Sequence, residues 1–287
     1  MTEQTYICLN GEFKKNSVPS LYPHNRAFRY GDVLVENMHA YGTELQFPEY
    51  HLERLFTNMR FLSMEIPASI TVERLRQFTI QLLNKNRIFG GAQVRLTTYR
   101  DSDRGFLTDL PGISFLLECH KLDYDHYVLN DRGFTIDICT EFRKFTGNLP
   151  VVRTAHNVLY LLAGIEGRNK NLDAILILNE TGRIVETVDS NVFLVNGDSV
   201  FTPGIQQGCI PGVMRRIILR LANEAGLRTN DQSSLTPAAL DDAEEIFLTN
   251  AVDGIRWIGA FRQRRYYKRI SKILTGKLNE VAFKTGA

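Results

Sequence analysis

The chain has 287 residues, of which 44% are hydrophobic and 23% are charged, and these values are typical of a globular protein with one large domain or two ordinary ones. The formal net charge of +2 is too small to favour a nucleic-acid partner. No apolar run approaches the roughly 20 residues that a membrane-spanning helix needs, and the first residues lack the basic and apolar regions of a signal peptide. We therefore expect a cytoplasmic protein with no membrane partner.

The first part of the chain predicts a domain that mixes strands and helices. An N-terminal hairpin is followed by a turn-rich segment at 25–36 and a strand that runs on to Tyr41. Apolar residues at helical spacing predict a helix over 51–64, and Thr71 is a suitable N-cap for a second helix over 72–84. Strands are predicted at 93–99 and 113–120. A change of composition at 122–133 then predicts a boundary between a smaller domain, 1–125, and a larger one, 126–287.

The second part continues as a strand at 134–139, a loop, and a helix over 154–170. We expect the buried stripe of this helix to consist of Val158, Leu161, Leu162 and Ile165. Short strands follow between 174 and 202, then a helix over 213–225 that ends at Gly226. The remaining predicted elements are a short helix at 236–240, a strand at 245–249 and a helix at roughly 270–282. The predicted fold class is α+β.

The stretch 173–215 has the residues of an anion site. Glu186 ends one predicted strand, Asn191 begins the next, and Ile210-Pro211-Gly212 opens a helix whose first backbone amides can hold an anion. A strand-rich scaffold, one placed carboxylate and a helix N-terminus together suit a phosphorylated cofactor with a basic nitrogen. Taken singly, an acid such as Glu186 at a strand end is more often a surface carboxylate, and a Pro-Gly step is more often ordinary helix punctuation.

Other kinds of site have little support in the sequence. The six histidines show no i, i+4 pairing and no cluster with cysteine, so no metal site is predicted. The chain contains no GxSxG, P-loop or GxGxxG motif. The four cysteines are widely spaced in or beside apolar runs, which favours reduced thiols in the core.

The order of short motifs along the chain resembles the class IV aminotransferase family, the fold type IV pyridoxal-phosphate enzymes. The motifs are NGEF (10–13), NRAFRYGD (25–32), HLERL (51–55), GRIVETVDSNVFLV (182–195), FTP (201–203), IPGVMRR (210–216) and AEEIFLTNAVDGI (243–255). This family includes branched-chain and D-amino-acid aminotransferases and aminodeoxychorismate lyase. The resemblance spans nearly the whole chain. It implies the two-domain D-amino-acid aminotransferase-like architecture, with the cofactor between the domains and a homodimer that completes each site.

The resemblance also implies roles for individual residues. Glu186 matches the acid that pairs with the pyridinium nitrogen of pyridoxal 5'-phosphate, and Arg54 matches the residue that clamps its phosphate. The amides of Val213 and Met214 add helix-dipole stabilisation of the same phosphate. The implied cofactor site further includes Asn191 and the loop residues Asn250 and Ala251, and the implied pocket for an amino acid or keto acid is formed by Arg29, Tyr30 and Glu36.

One departure from the family pattern concerns the lysine that forms the Schiff base. That lysine should precede an asparagine by four residues, and here the pattern falls on Arg153 and Asn157, with Glu186 a further 33 residues beyond Arg153. An arginine stays protonated, so it forms no imine and accepts no proton. Met214 and Ala251 also stand where many members have hydroxyl side chains, Val158 replaces a frequent tyrosine, and Val33 replaces a common glycine.

Lys144 lies nine residues before Arg153 and is the nearest lysine that could replace it, but we expect it to be a solvated loop residue. Two functions therefore stay open: a transaminase of the branched-chain type that uses pyridoxal phosphate, or a non-catalytic member that binds this or another phosphorylated ligand without a covalent bond. A lyase-like enzyme is a further alternative. Glu36 favours the aminotransferases and the TNAVDGI loop favours the lyase.

Overall fold

The computed structural model describes residues 5–18, 22–101, 112–149, 151–155 and 158–283. The chain divides into two compact units, Met1–His126 with Arg153–His156, and Tyr127–Val152 with Asn157–Ala287. The division after His126 lies one residue from the predicted boundary. The sequence gives no indication that Arg153–His156 returns to the first unit.

The first unit contains an antiparallel sheet and helices. Its strands are β1 (Tyr6–Leu9), β2 (Glu12–Lys15), β3 (Val33–Tyr41), β4 (Glu44–Leu45), β5 (Gly91–Asp101) and β6 (Gly112–Lys121), and its helices are α1 (Arg26–Tyr30), α2 (Pro48–Phe61) and α3 (Val72–Lys85). The strand order is β2-β1-β6-β5-β3-β4. Thr71 caps α3 as predicted, because its side chain accepts a hydrogen bond of 3.2 Å from the Arg74 amide.

The second unit is built on a mixed sheet. Its strands are β7 (Phe134–Lys144), β8 (Ala174–Asn179), β9 (Ile184–Thr187), β10 (Asn191–Asn196), β11 (Ser199–Pro203), β12 (Arg228–Ser233), β13 (Glu245–Asn250), β14 (Gly254–Phe261) and β15 (Arg264–Arg265), and its helices are α4 (Val158–Asn169), α5 (Val213–Glu224), α6 (Ala238–Asp242) and α7 (Ile270–Ala282). The strand order is β12-β11-β10-β13-β14-β7-β8-β9, and β15 pairs with β14. Apolar cores lie on both faces of this sheet. The core against α4 includes Cys139, Tyr160, Ile175, Ile177 and Ile210.

Strand β7 runs five residues further than the predicted 134–139 because it contains a large bulge. Between Ile138 and Arg143 it advances five residues while β8 advances two, from Leu176 to Leu178. The bulge therefore holds three extra residues, and an odd number reverses the inward and outward alternation that follows. Ile138 lies in the core away from α4, whereas Lys144, an even number of residues later, points to the α4 side and contacts Tyr160.

Glu166 of α4 holds this bulge in place. Its carboxylate accepts hydrogen bonds from the Thr140 amide at 2.9 Å, the Thr140 hydroxyl at 2.8 Å and the Cys139 thiol at 3.0 Å, and it pairs with Lys170 at 2.6 Å. Burial acts to raise the pKa of Glu166, but these hydrogen bonds hold that pKa well below its usual range. The carboxylate thus satisfies donors that the bulge withdraws from the ladder.

The predicted buried stripe of α4 is wrong. Its exposed fractions are 65% for Val158, 64% for Leu161, 38% for Leu162 and 53% for Ile165. The face that packs on the sheet consists of Tyr160, Ala163, Glu166 and Gly167. Small residues occur there because a Cβ added at Gly167 would lie 3.2 Å from the Cβ of Ile175, so the helix backbone sits close to β8. An apolar surface is left on the opposite face of α4.

Candidate functional site

Glu186 lies inside the second unit, beside a lysine. Its side chain is 4% exposed, and its Oε1 accepts hydrogen bonds from the Lys144 ammonium at 2.5 Å and the Tyr160 hydroxyl at 2.7 Å. Its Oε2 accepts a hydrogen bond of 2.9 Å from the Ile210 amide. Lys144 also donates to the Tyr160 hydroxyl at 2.7 Å. The acid, the ammonium and the phenol therefore form a closed buried cluster.

The expectation that Lys144 is a solvated loop residue is wrong. It is the last residue of β7, and its side chain is only 6% exposed. The bulge turns it towards α4, and Glu186 supplies the opposite charge that a buried ammonium requires. Removing either partner of such a pair costs about 3–5 kcal/mol. Tyr160 is a further member that the sequence reasoning missed, and its position on the sheet-facing side of α4 was hidden by the more hydrophobic exposed face.

Ile210 links the acid to the helix start. Its amide donates to Glu186, and its carbonyl accepts a hydrogen bond of 2.9 Å from the Asn191 side chain. Two residues later Gly212 is the N-cap of α5, and a Cβ there would lie 2.0 Å from the Asn191 Oδ1. A side chain at this position would therefore push the Asn191 amide out of its place. The structure thus brings Glu186 and Asn191 together with the start of α5.

The first turn of α5 presents backbone amides at this place. Val213 and Met214 open the helix as predicted, and their side chains are buried, at 5% and 1% exposed. The amides of a first helical turn have no acceptor within the helix, and the helix dipole adds positive potential there. These amides suit the oxygens of a phosphate group.

The loop after β13 approaches the same end of the sheet. Asn250 accepts hydrogen bonds from the Val252 and Asp253 amides, at 3.0 and 2.8 Å, and donates one of 3.1 Å to the Ser190 hydroxyl, next to Asn191. The Ala251 carbonyl accepts a hydrogen bond of 3.2 Å from Tyr127. The end of β13 at Asn250 is therefore tied to the start of β10 by a hydrogen bond.

Thr249 contributes an unsatisfied polar group beside these residues. It pairs with Asn191 across β10 and β13, and cross-strand partners point to the same face of a sheet. Thr249 is 1% exposed, and its hydroxyl oxygen has no hydrogen-bond partner in the described part of the chain. It is one of six such buried polar atoms among the described residues, and its hydroxyl can donate to a ligand oxygen.

Arg54 and Glu36 form a second buried cluster, in the first unit. Arg54 donates from Nε to Oε1 of Glu36 at 2.9 Å and from NH2 to Oε2 at 2.6 Å. His51 lies 2.6 Å from the same Oε2 through Nδ1, which we infer carries the proton because a carboxylate only accepts. Burial acts to raise the pKa of Glu36, but Arg54 and His51 outweigh it and lower that pKa to about 2. Burial lowers the pKa of His51, which favours its neutral form.

The other predicted residues of the first unit lie at its surface or on its sheet edge. Arg29 of α1 is exposed, and Tyr30 is half-buried with the Arg26 guanidinium 5.3 Å from its ring centre. Arg153 is half-buried, and its carbonyl accepts a hydrogen bond of 3.1 Å from the Val35 amide of β3. Asn157, the second member of the predicted lysine motif, lies outside the described residues. The roles of these side chains towards a cofactor or substrate stay predictions.

The described residues offer neither a metal site nor a membrane-spanning helix. Within the described residues, no three His, Cys, Asp or Glu side chains are grouped so that they could hold a metal ion. No helix among the described residues is both long enough and apolar enough to cross a bilayer. The four cysteines are buried and unpaired, as predicted.

Comparison with known proteins gives a consistent result. The family model for class IV amino-transferases matches residues 33–261. The aminodeoxychorismate lyase of Bacillus subtilis is 27% identical over 86% of this chain and 83% of its own length. The branched-chain-amino-acid aminotransferase of Salmonella typhimurium is 24% identical over 94% of this chain and 92% of its own.

A solved structure confirms the predicted α+β architecture. The branched-chain amino acid aminotransferase of Thermobaculum terrenum, in its pyridoxal-phosphate form, superimposes with a TM-score of 0.85 at 18% identity, over 99% of this chain and 95% of that one. At this identity the likeness establishes the fold and nothing finer.

Proposed function

Because the chain belongs to the class IV aminotransferase family, we propose that it keeps the fold and phosphate site of that family but does not catalyse transamination. The single observation that carries this proposal is the pairing of Glu186 with Lys144, 2.5 Å apart and buried. This pairing occurs in a chain whose predicted Schiff-base position is Arg153. We propose that the ligand is phosphorylated and is held without a covalent bond.

Pyridoxal phosphate is the cofactor of this family, and the residues of this chain fit it at one end. The α5 amides, Gly212 and the unsatisfied Thr249 hydroxyl suit a phosphate. The other end does not fit, because Glu186 is already bonded to an ammonium, a phenol and an amide. Arg153 cannot supply the imine, and the aldehyde of this cofactor is at the far end of its ring from the nitrogen. A lysine beside Glu186 is therefore at the wrong end of the ring.

The proposal is tested by adding pyridoxal phosphate to the purified full-length chain, reducing with borohydride and locating any pyridoxyl group by mass spectrometry. We expect no site-specific adduct and no amino-group transfer between amino acids and keto acids in the wild-type protein. Arg153→Lys tests the predicted anchor, and an adduct at position 153 would support its assignment. Specific turnover by the wild-type protein would overturn the proposal.

A second candidate is an enzyme in which Lys144 itself forms the imine. The observation that favours it is the burial of Lys144 in the predicted site, where a solvated loop had been expected. In this case the ammonium must leave Glu186 and lose a proton before it attacks an aldehyde. A pyridoxyl group on Lys144, together with turnover that Lys144→Gln abolishes, would establish this candidate, with an amino acid or keto acid as substrate.

We further propose that the protein is a homodimer, as the family resemblance implies. Support comes from the exposed apolar face of α4, formed by Val158, Leu161, Leu162 and Ile165. Contiguous apolar surface on one helix face is typical of a protein–protein interface. A cytoplasmic location stays a prediction.

A further inference from the structure

We propose that Lys144 supplies, from within the chain, the positive charge that a ligand's ring nitrogen would bring to Glu186. The ligand of this site is then a phosphate monoester without a basic ring nitrogen. This inference rests on the proposed phosphate site and adds the chemical class of the remainder of the ligand. The inference concerns the groups around Glu186, so it holds with either arginine or lysine at position 153.

The hydrogen bonds of Glu186 carry the first step. A carboxylate offers about four acceptor positions, and three are used, by Lys144, Tyr160 and the Ile210 amide. The side chain is 4% exposed, so the fourth position is not open to solvent. A ring nitrogen that donates to Glu186 would have to displace one of these donors or move the groups that cover the fourth position.

Charge balance carries the second step. A carboxylate raises the affinity of a neighbouring nitrogen for a proton only to the extent that its own charge is uncompensated. The Lys144 ammonium lies 2.5 Å from Oε1 and compensates that charge. A second cation beside it would be repelled within a buried, weakly screened site. A neutral group meets no such penalty.

The groups proposed to hold the phosphate are different from those that pair with Lys144. The hydrogen-bonded link from Glu186 towards α5 runs through Ile210, whose carbonyl accepts from Asn191 beside Gly212. The first-turn amides of α5 and the Thr249 hydroxyl are separate groups. Removing the charge of Lys144 should therefore change the relative affinity for ligands with and without a basic ring nitrogen. It should change the affinity for the phosphate group less.

The experiment compares two probes on the full-length protein by isothermal titration calorimetry. Pyridoxine 5'-phosphate has a ring nitrogen but no aldehyde, so it forms no imine, and benzyl phosphate is a nitrogen-free aromatic monoester. We expect the wild-type protein to bind benzyl phosphate at least tenfold more tightly than pyridoxine 5'-phosphate. This ratio corresponds to a difference of about 1.4 kcal/mol in binding free energy. In Lys144→Gln, pyridoxine phosphate should bind at least about tenfold more tightly than it does to the wild type, with benzyl phosphate changed less than about threefold.

Two variants serve as controls. Lys144→Gln removes the charge but keeps N–H donors for Glu186 and Tyr160, and Lys144→Met is a second variant that removes both the charge and the donors. Lys272→Met removes an exposed lysine of α7 and should leave both affinities unchanged. Equal binding of the two probes by the wild type, or an unchanged ratio in Lys144→Gln, would overturn the inference. If neither probe binds to any variant, the phosphate site itself fails, and the proposed function fails with it.

Discussion

The guanidinium of Arg54 is oriented by a buried carboxylate rather than by solvent. Arg54 donates two hydrogen bonds to Glu36, at 2.9 and 2.6 Å, and the Glu36 side chain is 1% exposed. An arginine fixed by two parallel bonds loses little further freedom when it binds an anion. Glu36 therefore fixes the position of the Arg54 guanidinium.

This cluster predicts a pH dependence of stability. The folded-state pKa of Glu36 is about 2, below its ordinary 4.5, so its contribution is full above pH 4.5 and is lost as the pH falls towards 2. The pKa of His51 is also below its ordinary 6.5, so its contribution to stability is likewise lost as the pH falls below 6.5. We expect urea unfolding to show a loss of about 2 kcal/mol from Glu36 between pH 5 and pH 3.

Glu36→Gln should remove this part of the pH dependence while lowering stability throughout, because Arg54 loses its partner. Glu44→Gln is the matched control, since Glu44 is an exposed acid of the same unit that pairs with Arg76 at the surface. Its pH profile should follow the wild type. A Glu36→Gln profile parallel to the wild type between pH 5 and pH 3 would contradict the assignment.

The sequence predicts the chemistry of some single residues and not of others. Glu186, Asn191 and Gly212 are found beside the helix start because motif order fixes their place along the chain. Lys144 was predicted to be a solvated loop residue because the residues around it are typical of a polar loop. Its burial depends on a bulge and on a partner 42 residues away, and neither is encoded in the local sequence.

At the scale of elements, the start of α5 is closely packed around Gly212, which has no Cβ. The Gly212 backbone, with φ −64° and ψ 138°, is accessible to any residue. Only the 2.0 Å approach to the Asn191 Oδ1 therefore opposes a side chain. We expect Gly212→Ala to lower the free energy of unfolding by about 1–3 kcal/mol, measured by chemical denaturation, and to weaken binding of inorganic phosphate.

Gly276→Ala provides the matched control, because a Cβ at this helical position of α7 meets nothing within 4 Å. It should be neutral or stabilising by up to about 1 kcal/mol. The double variant Asn191→Ala with Gly212→Ala should be more stable than the sum of the single losses indicates, since the clash is gone. Additive losses would show that the clash is not the cause.

Helix α4 shows why the pattern of an element does not identify its buried face. Its apolar residues have the spacing of a core stripe, and the helix is predicted at nearly the observed place. The sheet-facing side is chosen instead by close approach at Gly167 and by the bonds of Tyr160 and Glu166. Hydrophobic periodicity locates an apolar face but does not say what covers it.

At the scale of the whole molecule, this face predicts the state of assembly. Burying a leucine contributes about 1.5–3 kcal/mol, and a symmetric dimer buries each residue twice. We expect a dimer in analytical ultracentrifugation, and we expect Leu161→Asp to raise its dissociation constant by about 100-fold or more.

Ile273→Lys is the matched control, since Ile273 is 48% exposed on α7. It should leave the assembly unchanged. A wild-type protein that is monomeric at all accessible concentrations, or a Leu161→Asp variant that still dimerises like the wild type, would contradict the proposal. Circular dichroism of each variant establishes that the monomer is folded.

The positions of most helices and strands were predictable from the sequence, and the return of Arg153–His156 to the first unit was not. Strand alternation and helix caps placed most elements within a few residues of their observed bounds. By contrast, Arg153–His156 belongs to the first unit because Thr154 pairs with Leu34 of β3. Such a long-range pairing has no local signature, since it depends on where the fold returns the chain.

The bulge of β7 makes this strand tolerant of changes in length. A residue inserted or deleted within it alters the size of the bulge, while the pairing of Lys144 with Asn179 fixes the strand beyond it. Counting residues from Ile138 would thus assign Lys144 to the wrong face of the sheet. Relatives that differ in length here are correctly aligned by their register with β8. Only that alignment reveals whether they too place a basic side chain against their acid.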